Sequence, residues 1–409
     1  MNKTPKIGLW VAIVIAAFVI SALTALLLQA PSLNPLSVWQ DPYYRHVTKF
    51  SFYQSFLSTL ISVGLAIPVA HALSRRDFWG KSLVLKLFAT TLVLPVLVGV
   101  FGLLAIYGNS GLFADLLSHF DSKLPFSIYG LNGILLAHVF FNLPYATRLL
   151  LQSLESIPEE QHKLCAHLGM GVWQKFKWVE FPRLKLQIAH VSGLVFMLCF
   201  TSFATVMALG GGPKSTTIEL AIYQAIKFDF DLQAGALLAI WQMLLCGIMA
   251  LTIQRLAKSV SISSVNQASN RYLIKDSRLS QCWDWGWISL AVLFVVPPIV
   301  MVLLSGINDK ALMVLTDHRF WSALWASLKV AALASAIALV AGISILWTSR
   351  RLRLNQNTAG ADKIELLGTI ILVTPGLVIS TGLFLLLRSF TDAFSLAFGV
   401  VVAVNALMG

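Results

Sequence analysis

Charge is what this chain has least of. Only 12% of its 409 residues are Asp, Glu, Lys or Arg, against about a quarter in ordinary globular domains. With 57% hydrophobic residues and a mean hydropathy of +0.78, composition excludes a water-soluble enzyme and points to a chain that lives in lipid. Cysteine is scarce too: Cys165, Cys199, Cys246 and Cys282 show neither metal-site nor redox spacing and read as packing residues. No metal or cofactor is expected. A membrane-embedded enzyme would need a His-x-x-x-His pair or paired intramembrane aspartates, and the sequence has neither. Nor does an Asp or Glu sit near the centre of an apolar run, where an ion-coupled carrier normally keeps one.

A nucleotide site is missing for a chemical reason. The stretch Gly210-Gly211-Gly212-Pro213-Lys214-Ser215-Thr216-Thr217 imitates a phosphate-binding loop, which works by aiming consecutive backbone N–H groups at the phosphates. Pro213, just before the lysine, has no N–H to give.

What is present is a series of long apolar runs without two-residue alternation, which predicts an all-α, polytopic membrane helix bundle rather than a barrel. Ten spans are expected, near residues 8–30, 51–73, 82–107, 131–151, 187–209, 232–255, 285–305, 322–347, 365–387 and 391–408. The first exceeds the apolar core of a secretory signal and reads as a retained anchor.

The net charge of +12 follows topology rather than nucleic acid. Lys3, Lys6 and the loops near 75–86, 148–185, 255–278 and 350–363 hold 21 of the basic residues, and the alternate loops hold eight. The basic side is assigned to the cytoplasm, with the N-terminus on it. The glycine cluster at 210–212 then faces outward, away from cellular ATP.

Residues 256–284 are polar and serine-rich, the composition of a linker. A similar order recurs on either side of it: Tyr53 opens a run closed by Ser74-Arg75-Arg76 and followed by Pro95, and Trp321 opens one closed by Ser349-Arg350-Arg351 and followed by Pro375. This suggests two repeated halves, 1–255 and 285–409. The first continues from Pro95 through a long cytoplasmic loop to Pro182, whereas little follows Pro375, so the second half is expected to be incomplete.

That loop, 156–182, predicts a helical hairpin. Ser156 and Glu159 form a capping-box pattern, Glu159 and Glu160 suit a first turn, Leu164, Cys165 and Leu168 make a narrow stripe, and Gly169 and Gly171 end the helix. A second short helix carries Val172, Trp173, Phe176 and Val179 on one face, with Pro182 as its stop. Two readings stand: a surface that docks into a partner's groove, or a helix on anionic lipid anchored by Lys175, Lys177, Arg183 and Lys185.

The segment resembles the cytoplasmic loop of ABC importer permeases, whose pattern is Glu-Ala-Ala, three residues, Gly, nine residues, an aliphatic, one residue, an apolar residue and Pro. Gly169, Val179, Phe181 and Pro182 match that spacing, while Lys163, Leu164 and Cys165 occupy the first three positions. Lys163 thus replaces an acid. The stretches at 94–108, 129–161 and 196–224 resemble, more narrowly, permeases of bacterial thiamine transport. The resemblance implies a non-enzymatic permease subunit with type I importer fold, moving thiamine or its phosphate esters across the inner membrane by alternating access. It implies as partners two copies of a cytoplasmic ATPase subunit and a periplasmic thiamine-binding protein. It also implies ATPase contact through Glu160, Lys163, Leu164, Cys165, Ala166, Leu168, Gly169, Trp173, Phe176, Val179, Phe181 and Pro182. A secondary transporter or channel for a small polar solute is the alternative.

After the glycines, Ile218, Ala221, Ile222, Ala225 and Ile226 recur at helical spacing, predicting a short interfacial helix with Glu219 and Gln224 exposed. By the same resemblance Gly210, Gly211, Gly212, Thr216 and Glu219 are candidate binding-protein contacts, with a plain interfacial turn as the other reading. His138, Asn142 and Pro144 combine polarity with a helix kink; they either line a pathway or hydrogen-bond helices together.

Overall fold

The computed structural model describes residues 7–29, 35–122, 126–256, 277–368, 374, 376–388 and 396–408. Lys3, Lys6, Lys123, residues 257–276 of the expected linker and Pro375 lie outside them. Every regular element among the described residues is helical, as continuous apolar runs require in lipid, where backbone polar groups must bond within their own segment.

Among the described residues eight helical segments are long and apolar enough to cross a membrane: Ile7–Leu28, Pro42–Arg75, Val96–Ser118, Leu131–Glu155, Val172–Phe200, Leu232–Ile253, Arg278–Gly306 and His318–Leu354. The last two of the ten expected spans correspond among the described residues to the shorter helices Gly376–Arg388 and Ala397–Met408. Three boundaries also move. The expected span at 82–107 divides into Lys81–Val93 and Val96–Tyr107, because Pro95 has no N–H to continue the ladder. The run expected at 187–209 ends at Phe200, and Ala204–Leu209 forms a separate short helix. Arg278–Gly306 starts inside the expected linker, capped by Ser277, whose side chain accepts from the Ser280 N–H.

The helices group into two compact units. The first comprises residues 1–45, 218–248 and 308–409, and the second 46–217 and 249–307. In the first unit Ile7–Gln29 packs on Gly376–Arg388, His318–Leu354 and Thr358–Gly368. Val19 and Ala22 meet Ile379 and Leu383, and Gly382 allows that approach, since a Cβ there would strike the Ala22 carbonyl oxygen.

In the second unit Val96–Tyr107 packs along Arg278–Gly306, and Leu131–Glu155 packs along Phe181–Phe200 and Lys81–Val93. Gly102 sits against the Pro298 carbonyl oxygen, which a Cβ would overlap. Gly102→Ala is therefore expected to lower the melting temperature in detergent, at a cost of roughly 1–3 kcal/mol. Gly286→Ala, on a position with open space around it, serves as the control and should melt like the wild type. Many large apolar side chains, among them Phe101, Leu290 and Leu293, remain exposed, as expected where lipid is the solvent.

Candidate functional site

The hairpin forms, but two of its ends are built differently from the sequence expectation. Ser156 caps no helix start: Leu131–Glu155 runs far enough to make it that helix's C-cap, and its hydroxyl donates to the Ser153 carbonyl oxygen at 2.8 Å. Pro158 instead precedes Glu159–His167. This helix closes on Gly169 at φ +65°, with the Gly169 N–H donating to Ala166 O and the Met170 N–H to Cys165 O. Those two bonds are a Schellman closure, which is why a glycine stands there.

Pro182 does not stop the second helix. Val172–Lys175 passes through a wider turn at Phe176–Glu180 into Phe181–Phe200. The Phe181 N–H bonds back to Phe176 O, five residues earlier, and this local widening lets a proline, with no N–H of its own, enter the continuing helix. The hairpin is thus continuous with a membrane span.

Its surface divides sharply. Leu164, Leu168, Trp173, Trp178 and Phe181 are exposed, as are Glu160, Lys163 and Gly169. Cys165 is buried, while Ala166, Phe176 and Val179 are half-buried. Lys163 pairs with Glu159 one turn earlier at 3.0 Å, an exposed bridge that contributes little.

Beneath this surface lies a cluster that the sequence reading missed. Lys175, only 2% exposed, places Nζ 3.0 Å from Glu180 Oε1, and His71 Nε2 lies 2.9 Å from Glu180 Oε2. Lys175 therefore cannot anchor on lipid headgroups as the surface-helix reading required. The His71 ring meets Phe176 edge-on, and Phe176 stacks with Trp173, so the exposed aromatic face is tied to the Pro42–Arg75 helix. Burial, then the nearby Lys175 charge, lowers the His162 pKa below the usual imidazole range. A second buried cluster joins the end of Pro42–Arg75 to the start of Arg278–Gly306: Arg76 Nη2 lies 2.6 Å and Arg75 Nε 3.5 Å from Asp284 Oδ2. The only advance signal for either was an acid beside an apolar run.

In the glycine loop Gly211 and Gly212 take φ +70° and +138°, which explains the glycines without any phosphate. Gly211, Gly212 and Lys214 are exposed, while Gly210 and Thr216 are buried. Glu219 overturns its expectation. It is 4% exposed, its carboxylate accepts a hydrogen bond from Gln242 Nε2, and burial pushes its carboxyl up to about 7. The helix Ile218–Lys227 is buried through Ile218–Ile222, so the position assigned to solvent points inward; Gln224 is half-buried and accepts from Tyr43 Oη at 3.3 Å.

His138 and Asn142 are brought together within the second unit. His138 Nδ1 lies 2.9 Å from Ser58 Oγ, Asn142 Nδ2 donates to Cys199 Sγ at 3.3 Å, and Gln54 Nε2 donates to the Cys199 carbonyl at 2.9 Å. Pro144 is buried inside the same Leu131–Glu155 helix.

Residues 49–260, which carry the hairpin, Arg75, Arg76 and the glycine loop, match the binding-protein-dependent transport system inner membrane component family. The chain belongs to that family. It is 47% identical over 395 residues to the thiamine transport system permease protein of Escherichia coli (strain K12), covering 96% of this chain and 73% of that one. The protein of the same name from Haemophilus influenzae (strain ATCC 51907 / DSM 11121 / KW20 / Rd) is 39% identical over 402 residues, covering 97% and 74%. That of Brucella abortus (strain 2308) is 38% identical over 369 residues, covering 90% and 67%. Family membership and the eight apolar helices make the chain a multi-pass inner-membrane permease subunit. A permease of this family works with an ATPase and a substrate-binding protein, which removes support from the carrier or channel alternative.

Proposed function

We propose that the chain imports thiamine or its phosphate esters by alternating access, powered by two copies of a separate cytoplasmic ATPase subunit and supplied by a periplasmic thiamine-binding protein. The observation that carries the coupling is the two-sided hairpin. Its exposed Leu164, Leu168, Trp173 and Trp178 offer a partner an apolar face, and its buried Lys175 and Glu180 fasten that face to a membrane helix through His71. The thiamine reading is supported by 38–47% identity to three permeases of that name.

In this reading the hairpin and the N-terminus are cytoplasmic. Glu160, Lys163, Ala166, Gly169, Val179, Phe181 and Pro182 belong to the ATPase-facing surface, with Cys165 and Phe176 supporting it. Exposed Gly211 and Gly212 meet the binding protein, with Gly210 and Thr216 shaping the loop from beneath. His138, Asn142 and Pro144 belong to the pathway; the buried His138 Nε2, which has no hydrogen-bond partner, favours that over a purely structural role. Residues 1–255 form one permease half with coupling loop 156–182, 256–284 a linker, and 285–409 belong to a second half.

The test is reconstitution in liposomes with the ATPase and binding protein. Labelled thiamine should accumulate only with ATP inside the ATPase-bearing compartment, and an ATPase subunit lacking its phosphate-loop lysine should abolish accumulation. Thiamine uptake that persisted without the ATPase would contradict the proposal.

A further inference from the structure

Among the described residues three acids, Glu180, Glu219 and Asp284, are buried, and their surroundings differ. Glu180 faces Lys175 and His71, and Asp284 faces Arg75 and Arg76. Glu219 faces an amide alone: among the described residues no lysine, arginine or histidine lies within ion-pair distance of it. A carboxylate withdrawn from water without a counter-charge is costly, so it either takes up a proton or waits for a cation.

The amide beside it carries a second open valence. Gln242 is fully buried midway along Leu232–Leu256; its Nε2 donates to Glu219, while its Oε1 has no donor. A carboxylate and an amide carbonyl, side by side and short of donors, complement a molecule that brings positive charge together with an N–H group. Both residues lie within the first unit, in its 218–248 segment, so that unit's own chain supplies the pair.

We propose that Glu219 and Gln242 form a receiving site for an organic cation bearing an amino donor. The inference rests on the proposed function, for thiamine has this chemistry: a permanently charged thiazolium ring and an amino group on its pyrimidine. Glu219 balances the ring's charge and Gln242 Oε1 accepts from the amino group. Specificity for a cation then resides partly in the permease rather than in the binding protein alone.

A purely structural tether makes the opposite ranking of variants. Glu219→Gln keeps size and hydrogen bonding but removes charge, whereas Glu219→Asp keeps charge but shortens the reach to Gln242. The permease, with its ATPase and binding protein, is reconstituted in liposomes, and initial uptake of labelled thiamine is measured beside ATP hydrolysis. E219Q is expected to lose at least tenfold in uptake while hydrolysis still responds to loaded binding protein, and E219D to retain at least a third. Q242L is expected to raise KM several-fold with little change in maximal rate, and it keeps the site testable should E219Q not assemble with the ATPase. Uptake by E219Q within twofold of wild type, E219D weaker than E219Q, or an unchanged KM in Q242L would each overturn the inference while leaving thiamine import standing. Failure of the wild type to carry thiamine would instead defeat the functional reading. The same variants assayed on whichever solute it does carry then decide the site, a neutral or anionic solute counting against it.

Discussion

Glu180→Ala in the assembled transporter is expected to reduce thiamine uptake about a hundredfold while leaving ATP hydrolysis measurable, so that the two activities part company. Glu180 and Lys175 are both 2% exposed, and Glu180 also holds His71. Removing the acid strands a buried ammonium, a loss of about 3–5 kcal/mol. The hairpin relieves that strain by loosening from Pro42–Arg75, and work done on its outer face no longer reaches the helix. Glu180→Gln keeps the shape and some hydrogen bonding and should fall between wild type and alanine. The ratio of thiamine moved to ATP hydrolysed is the readout. Equal ratios for wild type and Glu180→Ala would show that the clamp carries no motion.

Asp284→Ala is expected to act on stability before transport. The carboxylate is fully buried between Arg75 and Arg76, so its loss removes the counter-charge these two guanidinium groups share, again about 3–5 kcal/mol. Thermal melting of the detergent-solubilised protein should move down by several degrees, more than for Gly102→Ala. A combined Arg76→Ala/Asp284→Ala variant should recover part of the loss, since the most closely paired cation leaves with the acid. An Asp284→Ala protein that melted with the wild type would show that these arginines are hydrated rather than held.

The two clusters also show where reading the sequence stops. Gly169 was legible because a glycine often closes a helix by taking positive φ, and the apolar stripe ran out just before it. Pro182 misled for the complementary reason: its missing N–H is a local fact, but the chain widens at Phe176–Glu180, where the Phe181 N–H reaches Phe176 O, and the helix runs on through the proline. Ser156 misled because two helices compete for it, and the longer one took it as a cap. Lys175 counted as a membrane anchor by its charge alone, and nothing within 156–182 announced that His71, more than a hundred residues earlier, shares its acid. Glu219 was assigned to solvent by helical spacing, although burial through Ile218–Ile222 leaves that helix no free side at its start.

Apolar length, the shortage of charge and the lack of two-residue alternation by themselves determined that this is a helical membrane chain, since in lipid a backbone satisfies its polar groups either within its own helix or in a closed barrel, whose strands alternate. Glycine, acting through positive φ, marked the close of the hairpin's first helix and the turn at 210–212. That His71 joins Glu180 and that Arg75 and Arg76 meet Asp284 was decided by tertiary structure, because the energy of an ion depends on what surrounds it and these neighbours come from distant parts of the chain. Glu180, Asp284 and Glu219 are all acids in the sequence, and only the fold gives cations to two of them and withholds one from the third.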